Sequence, residues 1–374
     1  MLDKSGHGRL GKTPLSRPGR CPSMRVGIAV ALAAAFATLS LAGCATPADL
    51  SGPCSNRHGT PDFCGGGAWI NSEPLTLAAL EGKVVLIDFW TYTCINCIRT
   101  FPHLTAWYDT YAPFGFVIVG VHAPEFEFEE DRDNVVAATA RHAIHYPVVQ
   151  DNDMAIWDAW ENRYWPAHYL LDASGDEVFR HFGEGKYAET EAKIRDLLVK
   201  AGARGLPAAI EPIGSQGARG SDVTPELYAG YGRQASAIGN PEGYQPEKEV
   251  DYSASSAPQR DRIYFDGTWH NGEEAMTAAS AAAFYLRFRA GAVNMVVFPG
   301  AAAGTCLPVR LDGEPIPAEL AGADVLFDRG VPCVLVDAAD SYDLYAGPVA
   351  THELRVGTAA GLALYTFAFS AYAA

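Results

Sequence analysis

Cys94 and Cys97, two cysteines separated by two residues, are the pair in this chain whose type and spacing best suit chemistry. They lie in VVLIDFWTYTCINCIRTFP (84–102), where an apolar, strand-like run enters a turn holding both cysteines and continues into a segment with helical spacing. A thiolate is the nucleophile in disulfide exchange, and a cysteine at a helix N-terminus is stabilised as an anion by unpaired backbone N–H groups and the helix dipole. Cys94 is therefore the expected attacking sulfur, and Cys97, one helical turn deeper, the sulfur that resolves a mixed disulfide. The competing readings are half a zinc site or two inert core thiols. Zinc would have to recruit Cys54 and Cys64, whose spacing is far wider than the roughly two to four residues usual within structural sites. The chain carries no G-x-S-x-G elbow, P-loop or H-E-x-x-H.

The elements that must position the pair follow from periodicity. Val84–Trp90 and Phe116–Val121 read as buried strands, and Ile98, Phe101, Leu104 and Tyr108 between them keep helical spacing, which makes a β-α-β unit. Val135–His145 reads as a helix, Tyr146–Val149 as a short strand and Met154–Trp160 as a short helix. Ala167–Leu171 and Glu177–His181 are strands about a turn at 172–175, and Glu189–Ala201 is an amphipathic helix. Residues 204–257 are rich in Gly, Ser, Pro and charge and read as a linker, ordered in part at Thr224–Tyr228 and Tyr231. Beyond them, Arg262–Phe265, Ala283–Ala290, Val293–Phe298, Pro308–Leu311, Asp343–Ala346, His352–Val356 and Leu362–Ser370 are short strands of a predicted β-sandwich. The expected organisation is a leader over 1–43, a linker over 44–67, an α/β domain over 68–203, a linker over 204–257 and an all-β domain over 258–374.

Composition sets the bounds. With 374 residues, 48% hydrophobic and 19% charged, the chain is globular and long enough for two domains. A formal net charge of -16 argues against nucleic acid as a partner. Arg25 precedes the Ala- and Leu-rich run Val26–Leu41, too short for a convincing membrane span and suited to a secretory signal, with Met24 as an alternative start. That run ends Leu41-Ala42-Gly43-Cys44, which resembles a bacterial lipobox. An ordinary cleaved signal is the alternative, and a lipobox would make Cys44 a lipidated first residue and anchor the protein to a membrane outside the cytoplasm. Setting aside Cys21 and Cys44, six cysteines remain in a compartment that permits disulfides. Structural pairings of Cys54 with Cys64 and of Cys306 with Cys333 follow sequence order, although order alone does not fix connectivity.

A cysteine pair directly after a strand, a helix beginning at it and a proline before a late strand read as a thioredoxin-like fold, and the chain resembles thioredoxins residue by residue. Asp88 matches their buried acid, Trp90 the aromatic beside the site, Pro102 the proline that kinks the helix, and Trp165-Pro166 the cis-proline that faces the cysteines. The Thr93 and Ile95-Asn96 positions depart from thioredoxin itself. TYTCINC, VGVHAPEFEFE from Val119 and NRYWPAHYLLD from Asn162 resemble the extracytoplasmic part of DipZ proteins, within the TlpA-like group.

That resemblance implies a thiol-disulfide oxidoreductase in which Asp88 manages the proton of the second thiol and Trp90, Trp165 and Pro166 meet the partner chain. It leans toward reduction of cysteine-containing exported proteins, with electrons from a membrane carrier of the CcdA/DsbD type. It implies no cofactor beyond the Cys94–Cys97 disulfide. It also implies a carbohydrate-binding-like jelly roll at the C-terminus, where Tyr264, Trp269 and Tyr285 are either a glycan platform or core. His122, Glu125 and Glu127 either line the cleft or form a solvated loop. His142 and His145, three apart, fit a surface pair better than a metal face.

Overall fold

The computed structural model describes residues 54–211, 213, 222–233 and 237–371, so the leader and Cys44 lie outside the described residues. The first domain runs β1 (Trp69–Ile70), β2 (Val84–Trp90), α1 (Ile95–Ile98), α2 (Phe101–Tyr111), β3 (Phe116–His122), α3 (Arg132–Arg141), β4 (Val148–Gln150), α4 (Ala155–Ala159), β5 (Ala167–Leu171), β6 (Glu177–Phe182) and α5 (Tyr187–Lys200). Its sheet has the order β1-β4-β3-β2-β5-β6. The β2–β3 and β3–β4 pairs are parallel and the rest antiparallel. All seven residues of β2 are buried, as a central strand with both faces covered requires. Val84, Leu86 and Trp90 join Phe101, Leu104, Ile194 and Leu198 in one core, while Val85, Ile87 and Phe89 join Trp157, Trp160 and Tyr169 in the other. Asp88 has the parity of the first set, which directs it toward the cysteine-bearing side.

Two local features shape the first domain, and the second departs from the sequence expectations. The helix that begins at the cysteines is interrupted at Pro102, as expected of a kinking proline, and more sharply than a kink: Pro102 has no N–H to bond back to Ile98, so α1 ends there and α2 restarts with Pro102 in its first turn. Residues from Cys54 onward, expected in a linker, belong to the first domain. Cys54 and Cys64 are disulfide-bonded with Cα atoms 5.7 Å apart, and Phe63 is buried in the core. Asn56 and Thr60 donate side-chain hydrogen bonds of 2.7 and 2.8 Å to the Gly175 carbonyl, and Asp62 accepts the Leu77 N–H at 3.0 Å.

The second domain contains β7 (Leu227–Tyr228), β8 (Glu249–Tyr252), β9 (Arg262–Asn271), β10 (Met276–Ala278), β11 (Ala282–Phe298), β12 (Thr305–Leu311), β13 (Glu314–Pro315), β14 (Val325–Asp328), β15 (Val331–Val336), β16 (Asp340–Thr358) and β17 (Ala363–Ser370). Hydrogen bonding runs in the order β14-β15-β12-β16-β11-β17-β10-β9-β8, with β13 on β12 and β7 on β17. Val325 near one edge and Val250 and Tyr252 at the other share one core with the central strands, so the sheet folds over on itself into packed layers. The expected linker thus supplies β7 and β8. The two strand pairs predicted at 283–298 and 343–356 are two long strands, because bulges around Ala290 and Val293 absorb the interruption at Gly291. Cys306 and Cys333 are bonded across the adjacent strands β12 and β15.

The glycan platform is not present at the three aromatics. Tyr264, Trp269 and Tyr285 are 3%, 0% and 2% exposed; Tyr264 stacks on Tyr285, and Trp269 packs edge-on against Phe265 and Phe284. They are core.

Candidate active site

β2 delivers the chain to the site and α1 presents the two sulfurs. Both thiols are free, whereas the other four cysteines among the described residues are paired. Cys94 is the N-cap of α1, and its Sγ accepts the Cys97 N–H at 3.3 Å. Cys94 is half-buried and Cys97 fully buried. Burial first, then the neighbouring Cys94 sulfur and the charge of Asp88, push the Cys97 thiol well above its ordinary range. Thr100 fixes the turn behind the pair by donating its hydroxyl to the Cys97 carbonyl at 2.7 Å.

Asp88 is fully buried. Trp165-Pro166 is a cis peptide. The Trp165 indole N–H donates to the Ala123 carbonyl at 3.0 Å and its ring lies on Trp157, leaving the side chain half-buried. Trp90 departs from its expected role. It is 0% exposed, with Phe101 and His122 against its ring, and cannot touch a partner chain.

Sequence reasoning missed a buried carboxylate that holds Thr93, the residue before Cys94. Glu129 is 0% exposed and accepts the Thr93 hydroxyl at 2.5 Å and the Thr93 N–H at 3.3 Å on one oxygen. Its other oxygen accepts the N–H groups of Glu125 and Phe126 at 2.6 and 3.0 Å. Burial, with Glu125 adding to it, pushes the Glu129 carboxyl up to about 7 against the pull of these donors. The only signal was the acid-rich EFEFEE run, which does not say which acid turns inward. His122 is likewise buried, stacked on Tyr92, and desolvation pushes its imidazole down to about 3. Glu127 is exposed, and Glu125 pairs with Arg233. The His142 ring leans on Phe101 while His145 is exposed, and no group of three metal-binding side chains occurs among the described residues.

The 123–131 segment also meets the second domain. Glu125 accepts hydrogen bonds from Arg233 and from the Tyr228 hydroxyl, the latter at 2.8 Å. Phe126 and Phe128 both pack edge-on against Tyr365 with ring centres 4.8 Å apart. Arg99, two residues beyond Cys97, donates to Ser370 at 2.9 Å, and Arg141 pairs with Asp340.

Two family models match: one described as thioredoxin-like over residues 82–177, and one described as a thioredoxin-like C-terminal domain over residues 224–370. The second begins at Thr224, within the segment read from sequence as a linker. Protein DipZ of Mycobacterium bovis is 34% identical over 316 residues, which are 83% of this chain and 42% of that protein. The chain therefore spans less than half the length of the DipZ proteins it matches. NHL repeat-containing protein 2 of Bos taurus is 42% identical over 33% of this chain and 18% of its own length. Thiol-disulfide oxidoreductase YkuV of Bacillus subtilis is 34% identical over 34% of this chain and 85% of its own length. With a half-exposed and a buried thiol at the start of α1 and likeness to YkuV over most of that protein's length, this chain belongs to the thioredoxin-like thiol-disulfide oxidoreductases, of the TlpA/DipZ type.

Proposed function

We propose that this protein reduces disulfides of cysteine-containing exported proteins outside the cytoplasm, with Cys94 as nucleophile and Cys97 as resolving thiol. The observation that carries the reading is the asymmetry of the two thiols. One is half-exposed at a helix N-cap, and the other is buried one turn deeper on the side to which Asp88 points. Cys94 attacks a partner disulfide and releases one partner sulfur; Cys97 then attacks Cys94, and the second partner sulfur leaves. Electrons and protons come from the two thiols, so no further cofactor is needed. Half-buried Trp165 is the residue for the partner's extended chain to meet, with buried Pro166 fixing the backbone behind it through the cis peptide. Two disulfides elsewhere in the chain suit an oxidising compartment. The Leu41–Cys44 sequence supports a lipid anchor at Cys44. A membrane electron carrier of the CcdA/DsbD type would restore the dithiol.

Insulin reduction with dithiothreitol as electron source tests the chemistry. Cys94→Ser and Cys97→Ser are each expected to abolish turnover, and Cys97→Ala to accumulate a mixed disulfide through Cys94. Turnover that survives Cys94→Ser removes the reading.

A further inference from the structure

Asp88 has a partner that the two-thiol scheme does not use. On β5, two residues beyond the cis-proline, His168 stands in register with Asp88 across the antiparallel β2–β5 pair. Its Nε2 lies 3.2 Å from Asp88 Oδ1, and the residues are 2% and 0% exposed. The distance is that of an ion pair, but the two groups are not aligned as a hydrogen bond. His168 in turn stands opposite His181 on β6, the edge strand, with ring centres 6.4 Å apart, and His181 is only half-buried. Three titratable side chains therefore form one cross-strand row from the buried site to the sheet edge. The other groups facing Asp88 are the Cys97 thiol, with Cys94 beyond it, and the buried Tyr146 hydroxyl ahead of β4.

A carboxylate that takes a proton in a dry core must be able to lose it again, and burying its charge without a counter-ion is costly. An imidazole in contact answers both needs, since His exchanges protons near neutrality. Extending the exchange reading above, we propose that His168 is the positioning residue that takes the Cys97 proton on from Asp88 during resolution. The Cys97 S–H bond breaks and its proton passes to Asp88. The thiolate attacks Cys94 Sγ, the Cys94–partner S–S bond breaks, and the partner sulfur leaves with the electron pair. The site dithiol is thereby oxidised by two electrons and the partner disulfide reduced by two. Asp88 hands its proton to His168, which leaves a carboxylate facing an imidazolium, and solvent protonates the departing thiolate.

A symmetric aromatic disulfide, 5,5′-dithiobis(2-nitrobenzoate), separates the two halves of the reaction on the full chain. With Cys21 and Cys44 replaced by Ser so that they do not react, the first thionitrobenzoate released reports attack by Cys94 and the second reports resolution by Cys97. His168→Gln keeps size and polarity but cannot accept the proton. It is expected to slow the second release by about 10- to 100-fold near pH 7 and to remove a pH inflection that the wild type shows, leaving the first release as it is. A folded His168→Gln protein with the wild-type second release and pH profile overturns the proposal while leaving Cys94 chemistry intact. Absence of even the first release in the wild type sinks the exchange reading itself. Should His168→Gln fail to fold, Asp88→Asn must lose the same inflection, and keeping it overturns the proposal equally.

Discussion

Hydrogen-bonded to Thr93, the residue before Cys94, the Glu129 carboxyl is held between two opposed forces, burial that favours the neutral acid and four donors that favour the anion. Its folded value of about 7 lies above the unfolded value of about 4.3, so the native state keeps a proton that the unfolded chain has released. Its contribution is complete below about pH 4.3 and is lost as pH rises toward 7, about 4 kcal/mol in all. Relative to Glu129→Gln, the wild type is expected to lose stability across that window. Urea midpoints of both proteins at several pH values check this, and parallel curves would refute the assignment. His122 acts with the opposite sign. Its folded value of about 3 lies below the unfolded value of about 6.5, so the buried neutral ring withdraws stability as pH falls between them.

Strand pairing, more than any single side chain, places the site. β2 lies between β3 and β5, and the register with β5 is what brings His168 opposite Asp88. On the other flank, Gly120 of β3 lies opposite Asp88 and makes room for a neighbouring ring. A Cβ there would fall 2.8 Å from the Trp90 indole nitrogen and 3.2 Å from both Tyr146 and Val148. Trp90 is hemmed in by Phe101 and His122, so it has no free direction in which to yield. Gly120→Ala is expected to cost about 1–3 kcal/mol by overpacking. A shift in urea midpoint at unchanged slope would measure it.

Across the whole molecule, the segment that carries Glu129 also carries the contacts to the β-rich domain. Glu125 is 8% exposed at its side chain and Arg233 26%, so removing the arginine leaves a largely buried carboxylate without its cation. For such a broken pair the expected loss is about 3 kcal/mol. The edge-on packing of Phe126 and Phe128 against Tyr365 adds about 0.5–1.5 kcal/mol per ring pair. The wild type is therefore expected to unfold in one transition, and Arg233→Ala combined with Tyr365→Ala in two. Calorimetry distinguishes the outcomes, and a single unchanged transition in the double variant would show that these contacts do not couple the domains.

The redox domain was legible because its signals are local. Cysteine spacing, the seven-residue apolar run of β2 and a proline before a late strand each follow from neighbouring residues. The β-rich domain was legible only in class. Bulges let β11 and β16 run through positions that read as breaks, and β7, β8 and the β14–β15 hairpin are too short or too Pro-bearing to stand out. The partner-facing role expected of Trp90 fails because aromatic type does not reveal which face of a strand is covered. His168 appeared as one polar residue in the buried run AHYLL, and Glu129 as one acid among several. By itself the sequence determined the thiols, the strand that delivers them and the helix that caps them, all set by local spacing and backbone chemistry. Only the tertiary structure decided which ionisable side chains meet behind those thiols, because cross-strand register and burial bring together residues that lie 80 positions apart.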